Sequence, residues 1–241
     1  MTDAIVIIPT YNEIENIEAI IKAVFSQKKP FDILVVDDNS PDGTSTKVKL
    51  LQNQFPENLY LLERPKKTGL GTAYISGFKW CLSKDYNYII EMDADFSHNP
   101  NDLINLYTAG LDQQADMAIG SRYINNRVNV VNWDMKRLLL SYFASKYVKF
   151  ITRMQIDDTT AGFVCYHRRV LETIDLDQIK FVGYAFQIEM KFKAYLKKFK
   201  IIEVPIIFTD RQKGKSKMSG GIISEAIFGV INMKFKSLFK S

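Results

Sequence analysis

Three short apolar runs each end in a polar, acid-bearing cluster, and this recurrence limits the fold more than any other feature. Residues 4–9 lead into Thr10-Tyr11-Asn12-Glu13, residues 33–36 into Asp37-Asp38-Asn39-Ser40, and residues 88–92 into Asp93-Ala94-Asp95. Continuous apolar runs of this length suit strands buried on both faces. Between them, Ile14, Ile17, Ile20, Ile21, Val24 and Phe25 recur at helical spacing. A second helix follows the turn Ser40-Pro41-Asp42-Gly43 and runs to about Phe55. Residues 59–62 predict a third strand, 72–84 a helix, and Pro100 opens another helix at a tolerated position. Residues 117–119 add a further strand.

Repeated strand–helix units predict an α/β fold with a doubly wound, mostly parallel central sheet flanked by helices. Ligands bind such sheets at the carboxyl ends of the strands, where all three polar clusters fall. One cluster alone reads as a turn or a helix cap. Three on one rim indicate a site.

Beyond Arg122 the rhythm changes. Residues 135–152 predict a helix with a broad apolar stripe, 162–166 a strand, 184–199 a helix and 201–208 a strand. Residues 1–218 read as one catalytic domain, and 219–241 as an amphipathic helical tail suited to a membrane surface. No apolar stretch reaches the ~20 residues that a bilayer span needs, and the first residues carry no basic signal-peptide pattern. Cys81 and Cys165 form no metal-ligand pair and read as inert buried thiols in a reducing compartment.

The 241-residue chain has a net charge of +5, unevenly spread: residues 191–241 hold 12 Lys+Arg against 3 Asp+Glu. A basic end of this kind implies an anionic partner. Nucleic acid fits poorly, because no binding motif accompanies the charge and the acidic rim would repel phosphates.

Two constellations carry chemistry. Asp93 and Asp95, one residue apart at a strand end, can face one hard cation, Mg²⁺ or Mn²⁺, that bridges a diphosphate. Arg211 with Lys213, Lys215 and Lys217, interleaved with Gly214 and Ser216, can close over phosphate oxygens.

These segments occur in a recognisable order. Pro9-Thr10-Tyr11-Asn12-Glu13, Val36-Asp37-Asp38, Gly69-Leu70-Gly71, Asp93-Ala94-Asp95 with His98, Gly120-Ser121-Arg122 and Asp158-Thr159-Thr160-Ala161-Gly162-Phe163 come first. Phe186-Gln187-Ile188-Glu189-Met190 and Thr209-Asp210-Arg211 with Lys217 follow. The chain thereby resembles the polyprenol-phosphate (dolichol-phosphate) mannose synthases, inverting glycosyltransferases of family 2 with a GT-A fold. The resemblance implies that Pro9, Tyr11, Glu13, Val36 and Asp38 line a nucleoside pocket. It implies that Asp93, Ala94 and Asp95 hold ribose, metal and diphosphate, and that Arg211 and Lys217 clamp the donor phosphates. Arg122, Arg137 and Ser141 would receive the acceptor's phosphate. Two positions depart: Ser97 stands where a relative with a metal site has a glutamine, and Ala161 where a serine is usual in the family.

The resemblance implies mannose transfer from GDP-mannose to a polyprenyl phosphate, by a protein bound peripherally to the cytoplasmic face of a membrane. A phosphate monoester has a second pKa near ~6 and attacks without a dedicated base. Asp158 could orient the sugar, serve as a base for a hydroxyl acceptor, or simply cap a turn. His98 reads as structural. The alternatives are UDP-glucose as donor, a glycan hydroxyl as acceptor, or a nucleotide-sugar-binding subunit without turnover.

Overall fold

The computed structural model describes residues 2–124, 127–183, 185–211 and 221–239, with the side chains of 221–227 outside the description. The first half alternates as predicted: β1 (Ala4–Thr10), α1 (Ile17–Phe25), β2 (Asp32–Asp37), α2 (Thr44–Gln52), β3 (Leu59–Glu63), α3 (Leu70–Leu82) and β4 (Tyr88–Glu91). A 3-10 turn (Pro100–Asp102) leads into α4 (Leu103–Asp112) and then β5 (Met117–Ser121). Three two-residue strands follow, β6 (Tyr123–Ile124), β7 (Arg127–Val128) and β8 (Val130–Val131), before α5 (Met135–Thr152). The remainder is β9 (Val164–His167), α6 (Arg168–Thr173), α7 (Ala185–Leu196), β10 (Ile201–Pro205), β11 (Phe208–Thr209) and α8 (Gly221–Ser237).

Seven strands form one sheet in the order β10-β5-β9-β4-β1-β2-β3. All neighbours are parallel except β9, which runs antiparallel to both β4 and β5. The continuous apolar runs are explained by covering on both faces. Ile5 and Ile7 of β1 face one core with α3 and α7, whereas Ala4, Val6 and Ile8 face the other with α1, α2 and α4. Each fully buried Ile or Val contributes roughly 1.5–3 kcal/mol. Helix α3 lies close on the sheet: a Cβ at Gly77 would stand 2.9 Å from Ile7 Cγ2.

The strand expected over 201–208 is divided. β10 stays in the main sheet up to Pro205, whose ring nitrogen has no hydrogen to donate, and β11 crosses to pair with β8. Lys191, counted by sequence in the basic end, is wholly buried on α7. Helix α8 seats Val230 and Met233 on the core, and a Cβ at Gly229 would overlap the Phe181 ring. Lys234 interrupts the apolar stripe of α8 for a local reason: its ammonium lies 5.8 Å from the centre of the Phe192 ring on α7.

Candidate active site

The rim begins where β1 and β2 end. Asp37, fully buried, ties the two strand ends together. It accepts from Thr10 Oγ1 at 2.8 Å, Ser40 N at 2.9 Å and Ser40 Oγ at 2.6 Å. The loops beyond are stitched by Asn12 N to Ser40 Oγ (2.9 Å), Glu13 N to Thr44 Oγ1 (3.0 Å) and Ile14 N to Asp42 Oδ2 (3.0 Å). Pro9 and Val36 are partners in the β1–β2 register. Tyr11 and Asp38 follow them, and Lys67 Nζ lies 4.5 Å from the centre of the Tyr11 ring. Burial pushes the Asp38 carboxyl up, and Arg64, donating at 2.8 Å, offsets part of that. Arg64 also reaches Thr68 and Thr72. It sits one residue past β3, on the same rim, and that position was the signal by which sequence could have found it.

Beyond β4, Asp93 and Asp95 are held by backbone and side-chain contacts on both sides, with Ala94 buried between them. Asp93 N donates to His98 Nδ1 (3.1 Å), and Ser97 N to Asp95 Oδ1 (3.1 Å). Arg211 Nη2 lies 3.1 Å from Asp95 Oδ2. Burial, then the Asp95 charge, pushes Asp93 up to about 7. His98 stacks on Phe163 at 4.8 Å, and burial lowers its pKa to about 4, so it stays neutral. Ser97 joins the site through its backbone, accepting from Thr209 N at 3.4 Å.

The residues fit a divalent cation. Two buried carboxylates repel each other, and the buried Tyr74 hydroxyl beside Asp93 offsets only a small part of the rise that burial and the Asp95 charge give it. Among the described residues no third His, Cys, Asp or Glu converges on the pair. Mg²⁺ and Mn²⁺ suit such a set, since one or two carboxylates plus substrate phosphates and water complete their shell.

A second cluster lies across β11. Arg122 is engaged by Asp158: its N and Nε donate to Oδ2 (2.9 and 2.7 Å), and its Nη2 to Oδ1 (2.7 Å) and to Thr160 Oγ1 (2.8 Å). Burial raises the Asp158 pKa, but the Arg122 charge and hydrogen bonds outweigh burial and hold it below its ordinary value. Asp158 is thus a poor proton acceptor and a firm anchor for Arg122. Asp158 is itself fixed by its N–H on Glu203 Oε1 (2.9 Å). Arg137, near the start of α5, donates to Asp210 Oδ1 (2.8 Å) and lies 4.2 Å from the centre of the Trp133 ring. Ser141, one turn further, approaches the Tyr123 hydroxyl and lowers its pKa, against the larger rise from burial. Phe208 bridges the clusters, edge-on to His98 at 5.5 Å and to Trp133 at 5.3 Å. Lys213, Lys215 and Lys217 lie outside the described residues. Glu189 serves the loop before α7, accepting from Lys180 N (2.8 Å) and Phe181 N (3.0 Å).

A buried polar chain runs beneath both clusters. Gln187 Nε2 donates to Glu91 Oε2 (2.6 Å), and Lys191 Nζ to the Ala161 carbonyl (2.6 Å). Burial pushes Glu91 up to about 8 and Lys191 down to about 8. The folded state therefore keeps a proton on Glu91 that the unfolded chain has released. This contribution to stability declines as pH rises from about 4.5 to about 8. Glu91→Gln keeps the bond to Gln187 without the titrating proton. Its stability relative to wild type is expected to rise across that window, read by urea unfolding at several pH values.

A model of the family described as Glycosyl transferase family 2 matches residues 5–175. The chain is a family 2 glycosyltransferase. It is 46% identical over 226 residues to a polyprenol monophosphomannose synthase of Mycolicibacterium smegmatis, covering 94% of this chain and 84% of that protein. It is 42% identical over 224 residues to an undecaprenyl-phosphate mannosyltransferase of Micrococcus luteus, covering 93% and 90%. Solved structures of more distant sequence share the fold. A glucosyl-3-phosphoglycerate synthase of Mycobacterium tuberculosis, crystallised with Mn²⁺, UDP-glucose and phosphoglyceric acid, superposes with a TM-score of 0.70. It has 14% identity, with 97% of this chain and 80% of that one covered. A mannosyltransferase of Pyrobaculum calidifontis, in complex with GDP-Man and Mn²⁺, gives 0.59 at 16% identity, covering 98% and 74%. The fold is the expected α/β GT-A arrangement, with the one antiparallel strand as its internal exception.

Proposed function

We propose that this family 2 enzyme transfers mannose from GDP-mannose to a polyprenyl phosphate, with inversion, at a membrane surface. The observation that carries the acceptor is the state of the two groups best placed to act as a base. Asp158 is clamped by Arg122 below its ordinary pKa, and His98 is buried, neutral and accepting from Asp93 N. An acceptor that is already ionised needs neither. The two relatives named for polyprenyl-phosphate mannose transfer support the same reading over nearly the full chain.

The nucleoside would lie on Pro9, Tyr11, Glu13, Val36 and Asp38. Asp93 and Asp95 would hold the divalent cation, which when bound neutralises charge on the departing diphosphate. Arg211 adds a bidentate-capable donor there, and Lys217 a point charge. Arg122, Arg137 and Ser141 would receive the acceptor phosphate and hold it for in-line attack, so that positioning and electrostatics supply the rate.

The membrane reading rests on exposed apolar side chains of two packed helices, α5 and α8. Met135, Leu139 and Phe143 of α5, at 65%, 46% and 62% exposure, continue the helix that carries Arg137 and Ser141. Phe228, Ile231 and Phe235 of α8 are similarly exposed, and so are Lys136 and Lys236 on the same two helices. No helix among the described residues is long and apolar enough to cross a membrane. Helix α8 would lie on the surface together with α5. Phe143→Ser with Phe235→Ser is expected to weaken binding to anionic vesicles at least about 10-fold, with the melting temperature unchanged. Co-sedimentation equal to wild type would remove this surface from the reading.

The test of function is a transfer assay with purified protein, Mn²⁺ and a short polyprenyl phosphate, with GDP-mannose and UDP-glucose in parallel. Mass spectrometry of the lipid extract should find one hexose added from GDP-mannose. Transfer from UDP-glucose alone would overturn the donor, and no lipid product from either would overturn the acceptor.

A further inference from the structure

Trp133 is the residue of the second cluster that neither the motifs nor the chemistry above has used. Its ring lies 4.2 Å from the Arg137 guanidinium carbon and 5.5 Å from that of Arg122, and Phe208 packs edge-on against it. Its indole nitrogen is buried and makes no hydrogen bond among the described residues. A buried N–H without a partner is costly and uncommon in a native protein. Its aromatic and arginine neighbours offer it no acceptor. Indole N–H is a donor only, and so is guanidinium. The carboxylates nearby are already committed, Asp210 to Arg137 and Asp158 to Arg122. Three donor groups thus stand together, and a ligand oxygen would supply the acceptor that the indole N–H lacks among the described residues.

We propose that Trp133 is a specificity-determining residue of the acceptor site, its indole N–H donating to an oxygen of the acceptor's phosphate while its ring packs against the Arg122 and Arg137 guanidiniums. The inference rests on the polyprenyl-phosphate reading of the acceptor. Phosphate suits the place because its oxygens only accept, and the cluster of one indole and two guanidiniums only donates. Stacking on the indole also limits the rotamers open to Arg137, so the cluster is set before the ligand arrives.

Two variants separate the roles. Trp133→Phe keeps an aromatic ring beside the arginines and removes the N–H; Trp133→Leu removes both. In Trp133→Phe the KM for a short polyprenyl phosphate should rise about 10-fold, the effect of one hydrogen bond to a charged group. The KM for the sugar donor should stay within about twofold of wild type, and the melting temperature should hold or rise, since an unpaired buried donor has gone. Trp133→Leu should raise the acceptor KM further and lower kcat. A wild-type acceptor KM in Trp133→Phe would overturn the inference alone, because water would then suffice for the N–H. Equal rises in both KM values with a lower melting temperature would also overturn it, as a packing effect. Wild-type protein that transfers nothing to polyprenyl phosphate would overturn the acceptor reading, and this inference with it.

Discussion

Asp95→Ala is expected to lower turnover by about 10³-fold, the scale of losing a preorganised charge contact in the transition state. The substitution removes one carboxylate facing the cation and the partner of Arg211 together. Its effect on the fold should be small or favourable without metal. The Asp95 charge is the second cause, after burial, of the raised Asp93 pKa, so its removal lets Asp93 ionise more readily. The expected pattern is a melting temperature at or above wild type without Mn²⁺, and loss of the rise that Mn²⁺ gives the wild type. Both are read by thermal unfolding beside the transfer assay. Near-normal turnover in this variant would remove the site assignment.

Asp158→Ala should act on the fold as well as the chemistry. It leaves the Arg122 guanidinium buried without its counter-charge, and breaking such a pair costs about 3–5 kcal/mol. The double variant Arg122→Met with Asp158→Leu should recover much of that stability and none of the turnover, since apolar replacement of both partners leaves no orphaned charge. Protonation probes the same pair. The folded pKa of Asp158 lies below its ordinary 3.8, so the unfolded chain binds the extra proton between those values. The contribution is therefore full above about 3.8 and is lost as pH falls through the folded pKa. Urea unfolding at neutral and acidic pH measures it, and Asp158→Ala should show a weaker decline than wild type.

Much of the donor half was legible in the sequence. Residues 4–9, 33–36 and 88–92 announce central parallel strands because burial on both faces removes the polar alternation, and their polar ends mark the rim. The acceptor half was harder to read. A short apolar run such as residues 162–166 looks the same in either direction, so nothing in it told that β9 runs against its neighbours. Arg122 and Asp158 are 36 residues apart, beyond any local spacing rule. Their clamp changes what Arg122 brings to the site, a charge already matched by a carboxylate. Lys191 carries no local sign that its ammonium is buried on the Ala161 carbonyl rather than on a basic surface. Trp133 reads as an ordinary aromatic until its unpartnered nitrogen is seen between donors.

The reversed strand β9 also orders events during synthesis. β1 to β4 pair as each emerges, so the nucleotide-side rim with Asp37, Asp38, Asp93 and Asp95 can assemble on the leading part of the chain. β5 has no place beside them, because β9 lies between it and β4. Until residue 167 has left the ribosome, β5 has no complete neighbour linking it to β4, and β8 waits longer, for β11 at Phe208–Thr209. A nascent chain halted before that point would carry the nucleotide-side rim, with the acceptor cluster still lacking Phe208 and Asp210. The late closure of long-range pairs is the slow part of such a topology.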